Sequence, residues 1–228
     1  MTGSCTDRYT TQEDIRPFFY KYISKTFVFP LRAATPPLGR MASPPPTPPS
    51  RCESLKEKAL KSMHVKFVRD KMQELGCDTY ATEHFSFACE PCFDAAVVGR
   101  FDASGRRLLL CSDNIEKYKL SDAHVLRTVL HELIHAYDMC RVQLDPLDCS
   151  HIACTEIRAA HLSGDCDFFT ELERRNLGFK SQGAACAKRR ALLSVRAHPN
   201  CQGDKAEEAV NQVFDLCMKD TSPFIRKC

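Results

Sequence analysis

The chain has 228 residues, 43% of them hydrophobic and 27% charged, which suits one compact domain with a tail. A net charge of +3 is too small to argue for nucleic-acid binding, and no apolar run reaches the roughly 18–20 residues of a membrane span, so any membrane attachment is expected to be peripheral. Fourteen cysteines scatter along the chain without repeated C-x-x-C pairs, which favours disulfides in an oxidising compartment over several zinc sites, with buried free thiols as the alternative.

Residues 1–51 read as a disordered, Pro-rich tail. Eight residues between Pro30 and Pro49 are proline, which removes backbone donors and favours an extended, solvated chain. Ahead of them Arg16, Lys21 and Lys25 mix with aromatics, but Asp7, Glu13 and Asp14 interrupt what an acid-poor transit peptide requires. Residues 52–228 read as the folded domain. Ser54 to Leu75 predicts one long amphipathic helix, with Leu55, Ala59, Met63, Phe67 and Met72 on its stripe and Gly76 as its stop. Phe85 to Cys92 begins a sheet. Cys89-x-x-Cys92 does not open a helix after a strand, so a redox role is weak; disulfides to other cysteines are expected, with a structural zinc shared with Cys77 or Cys111 as the alternative. Ala96–Phe101 and Arg106–Cys111 flank Asp-Ala-Ser-Gly105, the signature of a hairpin.

Ser121 or Asp122 caps the next helix, which carries His131-Glu132-Leu-Ile-His135. At about 3.6 residues per turn both imidazoles lie on one face and can reach one metal ion, with Glu132 beside them and free to take a proton. Val125, Leu126, Val129, Leu130, Leu133 and Ile134 bury much of that helix, and buried histidines need partners; a zinc ion satisfies both. Catalytic zinc takes a third protein ligand. The helical pattern after Asp145-Pro146, ending at Gly164, offers Glu156, His151 and His161. Glu156 stands twenty-one positions after His135, the spacing of a glutamate-type zincin, and is the expected ligand; the two histidines remain rivals. Asp138 is placed either to orient a ligand or to pair with Arg141 or Arg158. Tyr137, His151 and His161 are candidates to stabilise an oxyanion.

Three more helical patterns follow, Asp167–Leu177, Gly183–Ala197 and Asp204–Lys219. Cys186, Cys201 and Cys217 are placed to staple them. Lys188-Arg-Arg190 reads as a solvated basic face. Cys5, Cys52 and Cys228 lie in or near tails and are the candidates for free thiols.

From Ser54 to Phe224 the chain resembles the mitochondrial inner-membrane metalloprotease family that matures an ATP synthase subunit. The likeness rests on His131-Glu-Leu-Ile-His-Ala-Tyr-Asp-Met-Cys-Arg141 and on His151-Ile-Ala-Cys-Thr-Glu through Leu-Ser-Gly-Asp-Cys166. Gly76-Cys77, Cys89-x-x-Cys92, Gly-Arg-Phe-Asp-Ala-Ser104, Leu110-Cys111 and Val213-Phe-Asp-Leu-Cys217 add to it. The Pro-rich start is not part of that pattern, and the family continues past the position of Cys228 into a Tyr/Arg-rich tail. The resemblance implies a peripheral protein on the intermembrane-space side of the inner membrane, acting on a hydrophobic ATP synthase membrane-sector subunit precursor. It also implies an assembly-chaperone role, so a chaperone in which cleavage is dispensable stands as the alternative. A disulfide-bonded binding module without zinc is a third reading. The expected fold is α+β: a zincin-like, disulfide-stapled domain with a small antiparallel sheet and an active-site helix pair. In such folds the strand just before the active-site helix commonly edges the cleft, where a peptide can add to it.

Overall fold

Serine side chains set the first two helices. The computed structural model describes residues 50–92, 94–173 and 182–224; the Pro-rich tail as far as Pro49, and Cys5 and Cys228, lie outside them. Ser50 accepts from the Glu53 amide and opens α1, Arg51–Lys61. Ser62 then accepts from the Val65 amide and opens α2, Met63–Glu74. The single helix expected from Ser54 to Leu75 is therefore two. Periodicity runs through Ser62, but its extended backbone and its side chain start a new helix. Gly76, at φ 87°, ends α2, with the Cys77 amide returning to the Met72 carbonyl.

The sheet has three strands: β1 Ser86–Glu90, β2 Gly99–Asp102 and β3 Arg107–Cys111, in the order β1-β3-β2. β2 and β3 form the expected hairpin, its turn held by Asp102 Oδ1, which accepts from the amides of Ser104 and Gly105. β1, however, runs parallel to β3, with Ala88 opposite Leu109, so the sheet is mixed rather than antiparallel. The inner strand explains why the pattern misled. Leu108, Leu109, Leu110 and Cys111 are all buried, and a continuous apolar run carries no alternation from which direction could be read.

A short helix α3, Ser112–Lys117, leads into α4, Asp122–Arg141, and then α5, Cys149–Leu162. The remaining helices are α6 Phe168–Glu173, α7 Gln182–Ala197 and α8 Asp204–Lys219, with a 3-10 turn at Pro199–Cys201. The pattern expected over Asp167–Leu177 is thus helical over Phe168–Glu173, and its end lies outside the described residues.

Two cores result. Leu55, Val65, Val68 and Met72 of α1 and α2 pack with Leu108, Leu110 and the buried face of α4, Val125, Val129 and Leu133. Ala153 and Ile157 of α5 pack instead with Ala191 and Val195 of α7 and with Ala206, Ala209 and Val210 of α8. Ala159 of α5 belongs to the first core, its small side chain letting α5 approach α4.

Among the described residues six disulfides brace this arrangement, and they sort by halves of the domain. Cys52–Cys89, Cys77–Cys140 and Cys92–Cys111 lie in the first half. Cys149–Cys201, Cys154–Cys217 and Cys166–Cys186 lie in the second. Among the described residues none crosses from one half to the other. Cys52 is therefore bonded, not free, because α1 lays it against β1. Cys89 and Cys92 pair with separate partners, which removes the structural-zinc alternative for them.

Candidate active site

The site forms where the two halves meet. Ser121 caps α4 by accepting from the His124 amide. The buried stripe of α4 turns inward, so His131 and His135, one turn apart, share the face toward α5, their ring centroids 4.9 Å apart. The chain returns through a loop in which Asp145 Oδ1 accepts from the Leu147 amide, and Asp148 caps α5 by accepting from Ser150 and His151. The returning helix presents Glu156 to both histidines. Glu156 Oε2 lies 3.6 Å from His131 Nε2, and Oε1 lies 3.6 Å from His135 Nε2. Among the described residues His131, His135 and Glu156 are the one group of His, Cys, Asp and Glu able to hold a metal ion, their ligand atoms within 4.8 Å of one another.

The rivals are elsewhere. His151 Nδ1 accepts from the Asp145 amide and so fixes the loop. His161 also stands on α5 but is no member of the cluster. Tyr137 is buried and its hydroxyl pairs with Ser222 at 2.8 Å, which takes it out of the cleft and out of consideration for an oxyanion.

Each histidine is held from behind. His135 Nδ1 lies 3.0 Å from Thr155 Oγ1, and the same hydroxyl donates to Asp138 Oδ2 at 3.0 Å. With Thr155 donating onward, it accepts from Nδ1–H and leaves Nε2 bare for a ligand. Asp138 thus performs both roles foreseen for it. It positions His135, and it pairs with Arg158 at 3.0 Å and with Arg141 at 3.1 Å. Arg158 is itself buried and reaches the carbonyls of Asp220 and Ser222, so the segment after α8 closes over the network. Behind His131, Nδ1 stands 3.2 Å from Asp165 Oδ2. Arg190 Nη2 donates to that same oxygen at 3.0 Å.

These contacts set the electrostatics. Burial pulls the His131 imidazole down, but the Asp165 and Glu156 carboxylates outweigh it and raise it to about 10. Burial likewise pushes Glu156 up, but His135, His131 and a hydrogen bond from Ser194 outweigh it and hold the carboxyl at about 2. An imidazole kept as a cation between carboxylates is a place where a divalent cation replaces a proton.

A cleft of about 620 Å³ opens over the site. Its residues from α4 are His124, Thr128, His131 and Glu132, a stripe at helical spacing. Residues 95–99 line it too, and so do Asp165, Arg190 and Ser194. The 95–99 segment is fixed by Asn114, whose side-chain amide donates to the carbonyls of Asp94 and Val97. Gly99 lies so close to α4 that a Cβ there would meet Thr128 Cγ2 at 2.6 Å. The strand just before α4 was the expected edge, but β3 is central in the sheet. The edges are β1 and β2, and it is β2 whose Gly99 lines the cleft.

Sequence reasoning missed Asp165, Arg190 and Ser194. Asp165 follows the helix stop Gly164, a position with no motif. Arg190 and Ser194 are one turn apart on α7, but Lys188-Arg-Arg190 read as a solvated run. The structure divides that run: Arg189 pairs with the buried Glu171, while Arg190 lines the cleft.

Two histidines and a glutamate on a bent-back helix pair, beside a second glutamate in a cleft, are the equipment of a peptidase. The chain belongs to the peptidase M76 family, whose model matches residues 50–225. A mitochondrial inner membrane protease ATP23 homolog of Xenopus laevis is 43% identical over 178 residues, covering 77% of this chain and 73% of that protein. The Homo sapiens homolog is 42% identical over 164 residues, 72% of this chain and 64% of that protein. The Mycosarcoma maydis mitochondrial inner membrane protease ATP23 is 51% identical over 119 residues, 51% and 53% of the two chains. This chain therefore spans between about half and three quarters of the length of these relatives. Their names speak for a protease and do not favour an assembly chaperone without cleavage. No solved structure matches the chain. No helix among the described residues is long and apolar enough to cross a membrane.

Proposed function

We propose that this chain is a zinc-dependent metalloendopeptidase, peripheral to the mitochondrial inner membrane on its intermembrane-space side. Its substrate on this reading is the precursor of a hydrophobic ATP synthase membrane-sector subunit. The observation that carries the reading is the convergence of His131, His135 and Glu156, with His131 and the neighbouring Glu132 lining one cleft. Two imidazoles and one carboxylate are a donor set suited to zinc with a position left open. Zinc held there supplies a Lewis acid and a water acidic enough to ionise near neutral pH.

The chain's own residues do the rest. Thr155 and Asp138 hold His135 in the tautomer that ligates, and Asp165 orients His131. Glu132 accepts the water's proton and passes it to the departing amine, as the general base and then the general acid. The open edge of β2 and the adjoining 95–99 segment offer main chain against which an extended peptide lies. The inner-membrane location follows the relatives' names, and the intermembrane-space side agrees with six disulfides.

Glu132→Gln tests the assignment. The variant keeps the shape and the metal ligands but has no base, so it should hold about one zinc per chain and cleave nothing. Retained cleavage would remove Glu132 from the mechanism. Lost cleavage with undisturbed ATP synthase assembly in cells would move the main role to chaperoning.

A further inference from the structure

We propose that Arg190 is a substrate-binding residue, whose guanidinium, clamped by Asp165, donates to a main-chain carbonyl of the bound peptide close to the cleavage point. The proposal rests on the peptidase reading and deepens it.

A peptide added to the edge of a sheet satisfies only half of its backbone. Successive carbonyls of an extended strand point to opposite sides, so every second one faces away from the strand it has joined. A carbonyl removed from water without a donor is costly. With the peptide along the 95–99 segment, the outward carbonyls need donors from the other residues that line the cleft. Among the described residues Arg190 is the sole arginine or lysine that lines the cleft.

Its donors are both available and aimed. A guanidinium has five N–H groups in a rigid plane. Asp165 Oδ2 takes one from Nη2 at 3.0 Å, while 36% of the Arg190 side chain stays exposed. The anchor does not wander, because the Asp165 side chain is only 11% exposed. The disulfide Cys166–Cys186 also ties the residue next to Asp165 to α7, one turn before Arg190. The same Asp165 oxygen lies 3.2 Å from His131 Nδ1, so Arg190 sits within two hydrogen-bond lengths of a metal-site histidine. At ~3.3 Å per residue of an extended chain, that places the recognised carbonyl about one or two residues from the scissile bond. Holding the plane ready before the substrate arrives is what makes such a contact effective.

The alternative is that Arg190 merely keeps Asp165 in place, and two probes separate the cases. Zinc-loaded protein is titrated with acetohydroxamate, which reaches the metal alone, and with a fluorescent, hydroxamate-capped apolar tripeptide, which also reaches the walls. The parent should bind the tripeptide more tightly than acetohydroxamate. Arg190→Ala should weaken the tripeptide by roughly tenfold or more, as for a hydrogen bond to a charged group, and leave acetohydroxamate binding, zinc content and melting temperature unchanged. Arg190→Lys should recover part of the loss. Equal weakening of both probes, or of neither, overturns the assignment, because Arg190 then acts on the metal site or on nothing. If the parent binds the tripeptide no better than acetohydroxamate, the peptide cleft itself is refuted.

Discussion

Asp138→Asn is the sharpest test of how the site is built. Asp138 is buried and receives Thr155 at 3.0 Å, Arg158 at 3.0 Å and Arg141 at 3.1 Å. The substitution keeps the volume and removes the charge, leaving the buried Arg158 guanidinium with Asp220, at 2.8 Å, as its remaining carboxylate partner. Breaking a buried pair from one side costs about 3–5 kcal/mol. At ~2–4 °C per kcal/mol for a domain of this size, the melting temperature should fall by roughly 6–20 °C. The effect should also reach the metal: the new amide's oxygen goes to the arginines and its NH2 faces Thr155, which turns that hydroxyl from donor to acceptor on this side and removes the hold on the His135 tautomer. Loss of such an outer contact weakens metal binding by about 10–100-fold. Calorimetry of the oxidised protein and zinc competition against a chelator measure the two effects. Adding Arg158→Met should restore part of the stability, by removing a buried charge that has lost one of its two carboxylate partners, but not the zinc affinity. A melting temperature within about 2 °C of the parent, with unchanged zinc affinity, would refute both the electrostatic argument and the relay to His135.

Glu156→Gln should weaken zinc binding and abolish proteolysis, whereas His151→Gln and His161→Gln should leave the zinc in place; metal analysis after dialysis decides between them. Gly99→Ala forces a Cβ to within 2.6 Å of Thr128 Cγ2. It should lower stability by about 1–3 kcal/mol in a denaturant titration, and an unchanged midpoint would mean that the strand and α4 have room to part. Zinc affinity should rise with pH. His131, raised to about 10, carries its proton in the empty site at neutral pH, while Glu156, lowered to about 2, is already ionised. Of these two groups His131 is the one that releases a proton on binding, and raising the pH toward 10 removes that competition. Chelator competition at pH 6 and pH 8 should show tighter binding at the higher value, and equal affinities would contradict the charge state inferred for His131.

The group that could hold a metal was legible because its members obey local rules. His131 and His135 are fixed by helical spacing, and Glu156 by its distance along the next helix. The hairpin at Asp102 and the stops at Gly76 and Gly164 are likewise short-range signals. Ser62 was misread because an amphipathic stripe can continue across a helix break whose only mark is one capping side chain. The parallel pairing of β1 was hidden for a different reason: Leu108 to Cys111 of β3 are all buried and show no period. Asp165, Arg190 and Ser194 meet only through tertiary packing of α7 against α5. No spacing in the sequence reports that contact, so three groups touching the site or its ligands had no signal to find.

The separation of the disulfides into two sets bears on how the enzyme comes into being. A chain that emerges from its N-terminus can complete every pair among Cys52, Cys77, Cys89, Cys92, Cys111 and Cys140 before Cys149 is available. The later six then need nothing from the earlier ones. Such a division lets entry from the N-terminus keep the two sets apart in time as well as in space. His131 and His135 lie between cysteines of the first set and Glu156 between cysteines of the second, so the group they form is complete only when both halves are folded. A half-made molecule lacks it.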